Sequence, residues 1–102
     1  MIDIMHVATA PQNLTISGNP VTSSPVNQLY AGFTVSASGG NKPYTYSIQA
    51  GVLPTGITIN ASTGVVAGTP SLIALATGIV IRVTDFAGRT ADLASFNINV
   101  TV

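Results

Sequence analysis

The sequence predicts a single all-β domain, an antiparallel β-sandwich of about seven strands, on three observations. Apolar residues alternate with polar ones in short runs, the period-two pattern of half-buried strands rather than the helical 3.6. Gly, Pro, Asn and Ser punctuate those runs about every 8 to 12 residues, the turn spacing of a sandwich. The composition suits pleated surfaces, with 11 Val and 10 Ile for a core and 13 Thr, 9 Ser and 7 Asn for a neutral polar skin. A chain of 102 residues has room for one core that needs neither disulfide nor metal.

Leu14 and Ile16 alternate with Thr15 and Ser17 in a first strand, which Gly18-Asn19-Pro20 stops. Pro20 to Pro25 reads as loop, because neither proline can donate to a ladder. A second strand covers Tyr30 to Ser38, with Phe33, Val35 and Ala37 inward and Thr34 and Ser36 facing water. Ser38 to Pro43 turns the chain into a third strand, Tyr44 to Ile48, with Tyr44, Tyr46 and Ile48 on one face. After a loop from Gly51 to Pro54, Ile57–Ile59 and Val65–Ala67 form a hairpin around Asn60 to Gly64. Leu72 to Ala76 has the residues for one helical turn, but nothing caps it and it is short of a stable helix. Ile79, Ile81 and Val83 mark the inner face of the next strand, and Asp85-Phe86-Ala87-Gly88 is a turn whose Asp accepts backbone N–H groups. The last strand runs from Arg89 to Val102; Ala91 and Leu93 are out of phase with Phe96, Ile98 and Val100, so a bulge is expected near Ala94. Arg82 and Arg89 are expected to pair with Asp92 across neighbouring strands.

Within Tyr30 to Val102 these elements carry spaced motifs. They are Ser38-Gly39-Gly40 with Pro43-Tyr44-Thr45-Tyr46, then Leu53-Pro54-x-Gly56-Ile57-x-Ile59, then Thr63-Gly64-Val65-Val66-x-Gly68-Thr69-Pro70, and last Val83-Thr84-Asp85-x-x-Gly88. In that order they resemble the immunoglobulin-like domains of bacterial surface proteins and bacteriophage structural proteins. The resemblance implies an immunoglobulin-like sandwich serving as spacer, adhesive module or assembly part, three roles one fold can host. The chain departs from the family pattern at Ser71 to Gly78, which is aliphatic where the family usually enters its strand through a Gly and an aromatic residue.

Charge and chemistry narrow the function further. Three Lys and Arg against three Asp and Glu, net zero, leave no electrostatic footprint for nucleic acid or an anionic membrane, and neither partner is expected. The longest apolar stretch, Leu72 to Val83, is broken by Thr77, Gly78 and Arg82 and falls short of a membrane span. No catalytic residue is expected: the single His6 precedes the recognisable core, and no Gly-x-Ser-x-Gly elbow occurs. No metal or other cofactor is expected either, since Asp3, Asp85 and Asp92 are the only carboxylate side chains and zinc ligands are lacking. The absence of Cys leaves the redox compartment open. Tyr30, Tyr44, Tyr46 and Phe86 are the residues for a sugar platform. Tyr46 alternates with Ile48 and belongs to the core, which leaves Tyr44 and Phe86 as candidate surface aromatic contacts and carbohydrate as the weaker ligand.

The chain divides into an N-terminal arm or edge strand over residues 1–11 and the sandwich over 12–102. Met1, Ile2, Ile4, Met5 and Val7 make five of the first seven residues apolar and are the candidate protein contacts, because apolar side chains favour burial. The leading expectation is a non-enzymatic structural protein of a bacteriophage virion, a capsid decoration protein. Its partners would be other virion proteins, of capsid or tail, and itself as a homo-oligomer. The initial Met, the lack of a basic n-region with an apolar h-region, and the few charges available to keep copies apart motivate it. The alternative is a spacer or ligand-binding module of a bacterial adhesin or secreted polysaccharide-active enzyme, extracellular or at the bacterial cell surface.

Overall fold

Alternation decides which face of each strand turns inward, and in the computed structural model, which describes residues 13–102, it builds two packed layers from ten short strands. In chain order these are β1 (Thr15–Ser17), β2 (Ser23–Pro25), β3 (Phe33–Thr34), β4 (Ser36–Ser38), β5 (Thr45–Ala50), β6 (Ile57–Ile59), β7 (Val65–Gly68), β8 (Ala74–Thr84), β9 (Thr90–Asp92) and β10 (Phe96–Thr101). One layer has the order β2-β10-β8-β5, with β9 continuing the β10 side of β8. The other joins β1-β4 to β3-β7-β6, since β3 and β4 are one run interrupted at Val35, whose N–H goes to the Gly64 carbonyl at 3.0 Å.

The core lies between the layers. Tyr46, Ile79, Ile81, Val83, Ile98 and Val100 enter it from one side and Tyr30, Val35, Ile57 and Val66 from the other. Phe33 packs edge-on against Tyr30 at 6.4 Å and against Phe96 of the opposite layer at 5.6 Å between ring centroids, so aromatic contacts cross the sandwich. Two tyrosine hydroxyls are satisfied inside. Tyr30 donates to the Val21 carbonyl, and Tyr46 accepts the Ala37 N–H at 3.1 Å. Burial pushes the Tyr30 phenol up to about 12, although its bond to Val21 pulls the other way.

Each of the seven expected runs contains a strand, with two differences. Pro20 to Pro25 is not all loop, because Ser23–Pro25 pairs parallel to β10, giving the otherwise antiparallel sheets one parallel edge. Val26 donates to the Thr101 carbonyl and Asn99 to Thr22, so in this register the N–H positions of Ser23 and Pro25 face outward, and the proline costs no ladder bond. Leu72 to Ala76 makes no helical turn: β8 begins at Ala74 and runs 11 residues. Its partner β10 shifts register between Phe96 and Ile98 after a break over residues 93–95, close to the bulge expected at Ala94. The break changes the phase of this segment, so that Ala91 and Leu93 before it and Phe96, Ile98 and Val100 after it all face the core, while the shift takes up an extra residue of β8 beside Gly78.

The hairpin β6–β7 is held by Asn60, whose Oδ1 accepts the N–H groups of Ser62 and Thr63 at 2.8 and 3.0 Å. Its far end needs two glycines. Gly56 and Gly68 have φ of 99° and 141°, and a Cβ on either would lie 2.1 Å from the Thr69 carbonyl oxygen or 2.0 Å from that of Gly56.

Replacing Ile81, fully buried at the centre of β8, with Ala is expected to cost about 2–5 kcal/mol in urea unfolding. Thr34→Ala, on the water-facing side of β3, should cost far less; equal losses would mean that the strand faces are wrongly assigned.

Candidate functional site

The two ends of the sandwich differ in kind, and the first is organised by one carboxylate. Asp85 follows β8 at the start of a turn closed by the Gly88 N–H on the Asp85 carbonyl, 3.0 Å. Its side chain is buried and fully used. Oδ1 accepts the Arg89 N–H at 2.8 Å, while Oδ2 accepts the Asn41 N–H at 3.1 Å and the Arg89 Nε at 3.0 Å. The Phe86 N–H returns a bond to the Asn41 carbonyl at 2.9 Å, so the loop between β4 and β5 is bound to the β8–β9 turn from both sides. The fit leaves no room above it: a Cβ on Gly40, where φ is 62°, would lie 2.6 Å from Asp85 Oδ2.

Burial alone would raise the Asp85 carboxyl. The N–H groups of Asn41 and Arg89 and the Arg89 guanidinium more than offset it and hold the group below the usual carboxylate range. Arg89 therefore pairs with Asp85 and not, as its position on the last strand suggested, with Asp92. Among the described residues Asp92 pairs with Arg82, its cross-strand neighbour, through two bonds of 2.7 and 3.1 Å that also hold Asp92 low. The two side chains stand on the outer face of the sheet, about a third exposed.

The candidate aromatic contacts flank this end. Tyr44 is half-buried against the core, its hydroxyl donating to the Gly39 carbonyl at 2.7 Å, and Phe86 stands 77% exposed on the turn. Tyr30 and Tyr46 are core residues. A shallow depression beside the turn is lined by Asn13, Leu14, Gly88, Arg89 and Thr90. Met1, Ile2, Ile4, Met5, Val7 and His6 lie outside the described residues. Among the described residues no three His, Asp or Glu side chains are gathered to hold a metal ion.

The opposite end is apolar and went unread in the sequence. Leu29, Val52, Leu72, Ile73 and Leu75 are 59–78% exposed there. Hydrogen bonds from Asn27 to the Pro70 carbonyl and from Tyr30 to that of Gly68 place Leu29 beside the segment leading to Leu72. Gly51 abuts Gly78, which places Val52 along the same flank of β8. The signal was present in the unbroken aliphatic run Leu72-Ile73-Ala74-Leu75-Ala76, which has no polar alternation to mark a half-buried strand.

The layers so described, β1-β4 with β3-β7-β6 against β5-β8-β10, have the strand pairing of the ABED and CFG sheets of an immunoglobulin sandwich. The chain also matches the family model described as Putative Ig domain over residues 8–101. It belongs to that family. The match takes in β1 and β2 as well as the motifs from Tyr30 onward, and it makes the chain an Ig-like structural or adhesion-type module. No curated protein matches it. In this Ig domain the titratable groups at the turn end serve the fold, because every Asp85 bond closes a loop of the sandwich.

Because the native state holds Asp85 and Asp92 below their unfolded value near 3.9, their contribution to stability is complete above that value and is lost as pH falls through the folded values. Urea midpoints should be level between about pH 5 and 8 and fall below about pH 4. Asp85→Asn should lower the midpoint at pH 7 and flatten the acid fall; an unchanged acid slope would remove Asp85 from this role.

Proposed function

We propose that this Ig-like module is a non-enzymatic structural protein of a bacteriophage virion, acting as a capsid decoration protein. The observation that carries the reading is the uncharged apolar end of the sandwich, with Leu72, Ile73 and Leu75 each about 60% exposed. An exposed cluster of large aliphatic side chains marks a surface that meets another protein. With three basic and three acidic side chains in the whole chain, little long-range repulsion opposes close packing of many copies. Both features suit a part that is laid down repeatedly on a particle. The resemblance to phage structural domains supplies the kind of particle, and its partners are capsid or tail proteins and further copies of itself.

Phe86 favours a second reading. A fully presented ring beside the half-buried Tyr44 suits a ligand-binding module of an adhesin or a secreted polysaccharide-active enzyme, with carbohydrate as the ligand.

Quantitative peptide mass spectrometry on particles purified from cultures encoding the chain tests the choice. Recovery in many copies, co-migrating with the capsid, is the expected result. Recovery in the cell-envelope fraction, with none in the particles, would overturn the virion reading in favour of the adhesin.

A further inference from the structure

Among the described residues the flank of β8 that carries the exposed aliphatic residues is also an unpaired strand edge. β5 pairs with β8 from Thr84 back to Val80, where Ala50 is its last partner. Beyond it Gly51 lies against the Gly78 carbonyl and Ile79, and the remaining stretch, Ala74 to Thr77, is paired among the described residues on the β10 side only. The backbone directions there follow from β10. Asn99 donates to the Thr22 carbonyl on β2, so its polar groups point away from β8, and Leu75, directly opposite Asn99, must direct its own N–H and C=O to the open edge. Ala76 faces the core, which puts the Leu75 side chain on the outer face of the same edge. Residues 72–79 carry no charge and no proline, the two devices that usually keep an edge from being extended.

We infer that this edge accepts the segment Met1–Val7 of a second copy of the chain as an added strand. The donor has the composition the acceptor needs: five apolar residues in seven, with Asp3 its one acidic group and no charge on the edge to oppose it. Position selects a second copy over the same one. Residues 1–12 join the body at Asn13, beside Gly88, Arg89 and Thr90. Thr90 pairs with Thr84, at the far end of β8 from Ala74. Strands advance about 3.3 Å per residue, so donor root and acceptor edge stand at opposite ends of the longest strand, and β5 already holds the flank of β8 between them. A second molecule set head to tail instead brings its apolar end to the turn end, where the segment is rooted. The added strand would gain ladder bonds from the open edge and cover Ile73 and Leu75. The contact is head to tail, joining two different surfaces, so repetition gives a ring or a row of copies rather than a closed two-fold pair. It needs no particular particle, and absence of the chain from virions would leave it standing.

Sedimentation velocity on four samples decides it. The full chain should gain mass with concentration. A chain lacking residues 1–10 keeps only the acceptor, Ile73→Lys/Leu75→Lys keeps only the donor, and each should stay a folded monomer by circular dichroism. Mixed in equal amounts, these two variants should form a one-to-one dimer, because each supplies what the other lost. Leu75→Lys alone replaces the double variant if the pair disturbs folding. The inference is overturned by a full chain that stays monomeric at all concentrations or by mixed variants that do not combine. It is likewise overturned if the truncated chain still self-associates, which would mean that two β8 edges pair directly. Loss of cooperative unfolding on truncation would overturn it too, making Met1–Val7 a strand of its own sandwich.

Discussion

The fold depends on β8 being asked to pair with three strands at once. It meets β5 and β9 along its second half and β10 along its first, and it supplies Ile79, Ile81 and Val83 to the core. A strand of 11 residues that serves partners so unevenly cannot keep one phase throughout. The correction falls where Gly78 stands in β8 and where β10 breaks from β9, and it lets both halves of the C-terminal segment face the same core. The same unevenness leaves the first half of β8 with one partner. Core and open edge are two results of one constraint.

Scarcity of charge shapes the two ends differently. At the turn end the one buried carboxylate of the described residues is spent on joining two loops, and Arg89 completes it, so an ionised group is carried inside with each oxygen satisfied. At the other end the chain uses no charge at all, and closes the hairpin by bringing backbone against backbone at Gly56 and Gly68. One end is thus polar and self-contained, while the other is apolar and incomplete.

What could be read from the sequence follows from this division. Strands with one wet face announce themselves, which is why Phe33-Val35-Ala37, Tyr44-Tyr46-Ile48 and Ile79-Ile81-Val83 were placed on their correct faces. The Asn60 turn and the Asp85 cap were legible because their side chains bond to backbone within four residues. Three features were not. Ser23–Pro25 is a strand by virtue of a distant partner, with only Ser24 buried. The partner of Arg89 was misread because Asp85 both caps its turn and pairs with the guanidinium, and local spacing reveals only the first role. The opening residues of β8 lack alternation because their solvent-facing positions, Ile73 and Leu75, are aliphatic as well, so a strand there looks like a helical turn or a loop.

The remaining edges show that the open stretch of β8 is not carelessness spread over the whole domain. β1, β2 and β6 are three residues each, too short to template a long added strand, and β2 turns a proline outward. Ser47 and Gln49 give the outer face of β5 polar, exposed side chains. Each of these edges carries a feature that discourages pairing. Ala74 to Thr77 carries none, and the largest exposed aliphatic side chains of the described residues gather beside it. In a domain with six charged residues to distribute, placing one on this edge would have required a single substitution. A surface guarded on every edge but one has the asymmetry of a part made to be joined in one direction.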